Sequence, residues 1–168
     1  VMDYLRQAVF ENATVVKVDN NLAFESMFLY ALGVIVQPPC YDTIAAAQLT
    51  LKSSTTFRGL SDSGLKTLVP QLFHVELPDF ETVTAGRFFD ELDPQDKETV
   101  RYACADSDYA LRLYHLFNGW FDQYLPRHRR IVEQLESPTA VYCGLMRYNG
   151  LLMDRAAMEA KQAEAEER

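Results

Sequence analysis

The sequence contains few cysteines, glycines and prolines and no long apolar run. Three Cys, seven Gly and seven Pro among 168 residues exclude a disulfide-stapled miniprotein and a collagen-like repeat. Cys40, Cys104 and Cys143 are odd in number and lack the spacing of zinc ligands, which predicts a reduced, cytoplasmic protein. Apolar runs such as Phe28–Val36 are too short to span a bilayer, so we expect no membrane association.

Basic residues are also scarce. The chain has 16 Lys and Arg against 24 Asp and Glu, for a net charge of −8. Such a surface repels a phosphate backbone. Two interpretations remain open: a charge that serves solubility, or carboxylates clustered to bind divalent cations. The hydrophobic fraction of 48% predicts a globular chain with one core, which buries roughly 70% of the unfolded surface at this length.

The residue pattern predicts helices with one clear strand. Thr14–Val18 is rich in β-branched residues, which favours a strand. Asp19–Asn21 then supplies capping residues for a helix over Leu22–Leu32 that ends at Gly33. Another helix is predicted from Tyr41 to Leu51. Further helices are predicted over Met2–Asn12, Gly64–Phe73, Arg127–Tyr148 and Asp154–Arg168.

A long helix is predicted to begin at Asp93. Asp93 is suited to the N-cap and Pro94 to the first helical position, and the helix should reach Tyr114 or beyond. One apolar stripe of this helix is expected to face the core. Its members are Val100, Ala103, Cys104, Leu111 and Tyr114.

Two pairs of polar residues lie four positions apart and therefore share a helical face. Tyr102 and Asp106 could orient a water and bind a metal, or could be a half-buried tyrosine beside a solvated carboxylate. Asn21 and Glu25 could form a site, or could serve as an N-cap and a first-turn acid that the helix dipole favours. Spacing leaves both alternatives open.

Taken together and in order, these segments resemble a known family. Asn21-Leu-Ala-Phe-Glu25 resembles the second motif, Asn-x-x-x-Asp, and Tyr102-Ala-Cys-Ala-Asp106 the third motif, Tyr-x-x-x-Asp, of the 3′–5′ exonuclease (proofreading) domain of bacterial DNA polymerase I and its family A relatives. By this resemblance, the chain is expected to belong to the tyrosine subclass of DEDD exonucleases. Three further segments are similar to family segments: 41–46, 63–68 and 146–154.

The resemblance implies an α/β, RNase H-like exonuclease fold, a mixed sheet flanked by helices. The family's opening Asp-x-Glu motif has no counterpart before Asn21, and Asp79-Phe-Glu81 and Asp96-Lys-Glu98 follow the second motif and are rejected as substitutes. We therefore expect the first strands to be missing and this fragment alone to be inactive. Residues 1–150 are expected to form the exonuclease domain, and 151–168 the first helix of a polymerase domain in the same parent chain.

The resemblance also implies the chemistry. In the family, two divalent cations, Mg²⁺ or Mn²⁺, promote hydrolysis at a single-stranded DNA 3′ end. Asp106 would bind metal, Glu25 would hold the second metal directly or through water, Tyr102 would orient the attacking water, and Asn21 would be structural. Glu25 departs from the usual Asp, which predicts weakened or lost activity. The alternatives are a vestigial, non-catalytic scaffold of a polymerase and a ribonuclease D-type RNA exonuclease.

Overall fold

The computed structural model describes residues 1–53, 62–152 and 154–166. Helices dominate, two short strands form a sheet, and brief π-helical and 3-10 turns occur at Arg6–Phe10, Phe89–Glu91 and Val132–Glu136. In chain order the other elements are α1 Met2–Leu5, β1 Lys17–Asp19, α2 Leu22–Ala31, β2 Cys40–Asp42, α3 Thr43–Ser53, α4 Leu65–Phe73, α5 Phe80–Thr84, α6 Lys97–Tyr124, α7 Pro126–Ile131, α8 Ser137–Asn149 and α9 Arg155–Glu166.

The sheet of the described chain consists of β1 and β2, which pair in parallel. Lys17 lies opposite Cys40 and Asp19 opposite Asp42. The expected mixed sheet is therefore not found in these residues. β1 also begins later than predicted, because the residues before it form turns. The Lys17 ammonium stabilises these turns by donating hydrogen bonds to the carbonyls of Asn12 and Val15, at 2.8 Å each. β2 was not predicted, because its three residues were assigned to a loop and the start of a helix.

The main core lies between α3, α4 and α6. Fully buried Tyr41, Leu68 and Phe117 belong to it, and the ring of Tyr114 meets that of Tyr41 edge to face with centroids 4.8 Å apart. Burying large aromatic and aliphatic side chains supplies most of the stability of such a layer. This core fixes α4 and α6 against β2, which positions the site described below.

A second, smaller core joins α2 to α8. Leu22, Cys40 and Val141 are buried in it. The two helices approach closely at Gly144, where an added Cβ would lie against the Ala23 carbonyl oxygen and 2.9 Å from the Cβ of Ser26. Only a residue without a side chain fits there. This contact holds the helix that carries Glu25.

The predicted start of α6 was wrong by one turn. Its N-cap is Asp96, whose carboxylate accepts a hydrogen bond from the amide of Thr99 at 3.0 Å. Asp93 instead accepts from the amide of Gln95 at 2.8 Å, within the preceding turn. Both aspartates favour capping, and the local sequence does not reveal which of them the chain uses.

The predicted core face of α6 was wrong for four of its five residues, since only Tyr114 packs against the main core. Val100 and Leu111 are 44% and 47% exposed, and Cys104 is exposed. Most of the buried residues of α6 lie about a quarter-turn around the helix from the predicted stripe. They are Thr99, Ala110, Leu113, Phe117 and Phe121, and Asn118 is buried as well. Tyr102 and Asp106 lie near this inward side, because Asp106 precedes Ala110 by one helical turn. The catalytic candidates therefore face the body of the protein.

After α8, the residues that the structure describes are all exposed and contribute to neither core. None of the described residues of α9 is buried, and residues 167–168 of the predicted helix lie outside the described part. The division of the chain at residue 150 stays a prediction. Cys40, Cys104 and Cys143 are free. Of the helices that the structure describes, none has the length and apolar character needed to cross a membrane.

Candidate functional site

A cleft of about 440 Å³ opens where β1, α2, α4 and α6 meet. Parallel strands end together at one edge of their sheet, and that edge is where α/β proteins place ligands. We call this cleft the acidic cleft. Its polar lining consists of Asp19, Asn20, Glu25, Lys66, Tyr102, Asp106 and Ser107. Three predicted site residues, Glu25, Tyr102 and Asp106, are thus brought together, although they come from distant segments.

The N-terminus of α2 is organised by Asp42 rather than by Asn21. The buried Asp42 carboxylate accepts hydrogen bonds from the amides of Asn21 at 3.2 Å, Leu22 at 3.0 Å and Ile44 at 2.9 Å. Burial raises the pKa of Asp42, and these amide donors oppose that rise. Asn21 makes no side-chain cap, and its backbone has φ of 82°, a left-handed conformation that Asn tolerates better than most residues. Asn21 does not line the cleft, and its left-handed backbone lies in the turn between β1 and α2.

Asp19 is a site residue that the sequence reasoning missed as a functional group. It is the last residue of β1, and its carboxylate accepts a hydrogen bond from the amide of Asn20 at 2.6 Å. Burial, followed by the nearby negative charge of Glu25, raises the pKa of Asp19 to about 7. Burial also raises the pKa of Glu25. The sequence did contain a signal for Asp19: its carboxylate directly follows a segment rich in β-branched residues, and the ends of strands line such clefts.

The raised pKa of Asp19 predicts a pH-dependent stability. In the unfolded chain this carboxyl titrates near pH 4, whereas in the folded chain its pKa is about 7. The folded state therefore holds a proton that the unfolded state has lost, and the stabilisation is present below about pH 4 and disappears as pH rises through 7. We expect Asp19→Asn to reduce the fall in the free energy of unfolding between pH 5 and pH 8 by about 1–2 kcal/mol.

Urea unfolding at the two pH values measures this effect. Asp108→Asn is the matched control, because Asp108 is exposed and pairs with Arg112 at 2.9 Å outside the cleft. It should leave the pH dependence as in the parent. An Asp19→Asn variant whose stability falls with pH as steeply as that of the parent would contradict the prediction.

Tyr102 and Asp106 form the α6 wall of the cleft, and Lys66 of α4 lies against them. Burial and the neighbouring Asp106 carboxylate, which is hydrogen-bonded to the phenol, raise the pKa of Tyr102. The phenol therefore stays protonated and can serve as a hydrogen-bond donor. The Lys66 ammonium lies 2.9 Å from Asp106 Oδ1 and 4.6 Å from the centre of the Tyr102 ring. Lys66 belongs to the site, although the sequence analysis gave it no role.

The two-metal site that the resemblance implies was expected to be incomplete in this chain. In the described part of the chain, no three His, Cys, Asp or Glu side chains are arranged to hold a metal ion. Glu25 and Asp106 supply the hard oxygen ligands that Mg²⁺ and Mn²⁺ favour, but Asp106 contacts the Lys66 ammonium instead. The cleft as observed therefore offers a partial ligand set.

Comparison with known protein families identifies the chain. The family model described as 3′–5′ exonuclease matches residues 1–119 of the 168, which include both Asn21–Glu25 and Tyr102–Asp106. No curated protein gives a significant match. The family implies an RNase H-like fold and a nucleic-acid substrate, and its members generally depend on divalent metal. The predicted family is confirmed: the chain belongs to the 3′–5′ exonuclease family.

Proposed function

We propose that this chain is the 3′–5′ exonuclease domain of a family A DNA polymerase and removes nucleotides from single-stranded DNA 3′ ends. One observation carries the proposal: Glu25, Tyr102 and Asp106, from the second and third motifs, line one cleft. The family match supports the polarity and the nuclease activity. DNA as the substrate, the tyrosine subclass and a requirement for Mg²⁺ or Mn²⁺ are parts of the proposal.

The reaction is hydrolysis of a phosphodiester. A water oxygen bonds to phosphorus while the bond from phosphorus to the 3′ oxygen breaks, which leaves a 3′ hydroxyl on the shortened strand and releases a mononucleotide. Because the single O–H of Tyr102 is donated to Asp106, Tyr102 orients the attacking water through its phenol oxygen, which accepts a hydrogen bond from that water. Asp106 accepts the hydrogen bond of that phenol and fixes its direction. Glu25 supplies a carboxylate on another wall of the cleft. No step is assigned to a metal ion, because the described residues offer only a partial ligand set.

The direct test uses the full-length protein that carries this chain. A 5′-labelled single-stranded DNA is incubated with Mg²⁺ or Mn²⁺, and we expect a ladder of products shortened from the 3′ end. A terminal phosphorothioate linkage at the 3′ end should slow the loss of the first nucleotide. Degradation from the 5′ end, or no degradation, would contradict the proposal. Faster degradation of RNA of the same sequence would favour a ribonuclease D-type enzyme.

A second candidate is a non-catalytic exonuclease fold that serves as a scaffold. It is favoured by Glu25, which stands where the family usually has Asp, and by the lack of a convergent metal-binding group among the described residues. Calorimetric titration of the full-length protein with Mn²⁺ separates the candidates. Heat from a saturable site that is lost in the Asp106→Ala variant supports the enzyme, and heat that this substitution leaves unchanged, or no heat, supports the scaffold.

The proposed polymerase setting rests on the C-terminal segment. Residues 146–154 resemble the junction between the exonuclease and polymerase domains, and α9 buries none of its described residues. An isolated helix of this length is marginal in water and gains stability by packing on a partner. We assign α9 to the beginning of the polymerase domain, in a cytoplasmic protein.

A further inference from the structure

Lys66 occupies a position that its own helix and three neighbours define. It is the second residue of α4, whose Leu65 and Leu68 are buried in the main core and fix the helix beside the cleft. The ammonium donates to Asp106 Oδ1 at 2.9 Å and to the Pro78 carbonyl at 3.0 Å. It also lies over the Tyr102 ring. This cation is therefore held at the wall where the proposed water-orienting group stands.

The charge of the acidic cleft poses a problem for a nucleic-acid substrate. Asp19, Glu25 and Asp106 line it, and carboxylates repel phosphate. Among the lining residues that the structure describes, Lys66 alone is basic. A strand end that enters the cleft therefore meets one positive side chain, and that side chain stands next to Tyr102.

We propose that Lys66 binds a phosphate of the nucleic-acid 3′ end in this cleft, and that its contact with Asp106 is the form it takes without substrate. The inference rests on the proposed function. An ammonium carries three donors, so the Pro78 carbonyl can keep one while a phosphate oxygen takes another. The side chain is 42% exposed, and its head can therefore meet a phosphate without unpacking α4.

The competing interpretation is an ion pair that only joins α4 to α6. A pair as exposed as this one contributes about 1 kcal/mol or less to stability. That interpretation predicts a small change in the free energy of unfolding and no change in oligonucleotide binding when Lys66 is replaced. Binding measurements therefore distinguish the two.

The experiment measures binding of a short fluorescein-labelled single-stranded DNA to the 168-residue chain by anisotropy, with EDTA present so that no cleavage occurs. Lys66→Met should weaken binding by about 5- to 10-fold and lower the slope of log K against log salt by about 0.7. Lys66→Arg, which retains the charge, should bind within about 3-fold of the parent. Lys161→Met is the matched control, because Lys161 is 80% exposed and pairs with Glu164 on α9.

Each outcome has one meaning. Lys66→Met binding as tightly as the parent, with an unchanged salt slope, would overturn the role of Lys66 and leave the proposed function standing. Equal losses in Lys66→Met and Lys161→Met would also overturn it, because a general charge effect would then suffice. If the unsubstituted 168-residue chain binds no oligonucleotide, the role of Lys66 is overturned as well. The proposed function has its own test in the nuclease assay of the full-length protein. Circular dichroism of the variants checks that all of them fold.

Discussion

Replacing Asp106 with alanine is expected to lower 3′-end cleavage by the full-length protein by about 100-fold or more. The change removes the carboxylate that accepts the Tyr102 hydrogen bond, so that the phenol loses its fixed direction. It also leaves the Lys66 ammonium without its carboxylate partner. The rate of release of the terminal nucleotide from labelled single-stranded DNA, in the presence of Mg²⁺ or Mn²⁺, measures the effect.

Asp108→Ala provides the control for this loss. Asp108 lies on the same helix two residues later and pairs with Arg112 at 2.9 Å, away from the cleft. Both aspartates form exposed ion pairs, so each replacement should change the free energy of unfolding by about 1 kcal/mol or less. We therefore expect activity to fall in Asp106→Ala alone. Undiminished cleavage by Asp106→Ala would refute the assignment of this cleft as the active site.

Gly144→Ala is expected to destabilise the chain by about 3 kcal/mol. A Cβ at this position would press on the Ala23 carbonyl oxygen and lie 3.1 Å from the Met27 amide nitrogen. Both are backbone atoms of α2 and cannot move aside as a flexible side chain could. The helices would have to separate, and the contacts of Leu22 with Val141 would loosen. Urea unfolding followed by circular dichroism measures the loss.

Gly119→Ala is the matched control, since it is the same substitution within another helix. A Cβ at Gly119 has no atom within 4 Å, so the variant should be more stable than the parent by about 0.5–1 kcal/mol, because alanine loses less entropy than glycine in a helix. The two substitutions are thus predicted to have opposite signs. A destabilisation of similar size in both variants would refute close packing of α2 and α8 as the cause.

Local signals in the sequence sufficed for several helices. α2 follows Asn21 and ends before Gly33, whose φ of 73° is suited to glycine, and α4 lies within the predicted range despite Pro70. These boundaries depend on residues next to one another in the chain. The family resemblance added the Asn21–Glu25 and Tyr102–Asp106 motifs, and the structure places Glu25, Tyr102 and Asp106 along one cleft.

The remaining features depend on contacts between distant parts of the chain. The cap of α2 comes from Asp42, 21 residues beyond Asn21, and no local pattern announces such a partner. The inward face of α6 was misjudged because Val100 and Leu111 are apolar yet remain exposed. Lys66 was missed because its place in the cleft depends on a contact with Asp106, 40 residues later. The periodicity of apolar residues describes one helix at a time, whereas the cleft is lined by residues from several elements.

α6 carries the proposed site residue Asp106 in its first half and the buried Phe121 near its end. The helix has 28 residues, and at a rise of 1.5 Å per residue Asp106 lies about 22 Å along the axis from Phe121. Phe121 is fully buried, while the Asp106 side chain is 37% exposed. We therefore expect substitutions of exposed residues near Asp106 to alter the proposed activity while the aromatic anchor at the other end preserves the fold. Such an arrangement lets the chemistry of the cleft evolve at little risk to folding.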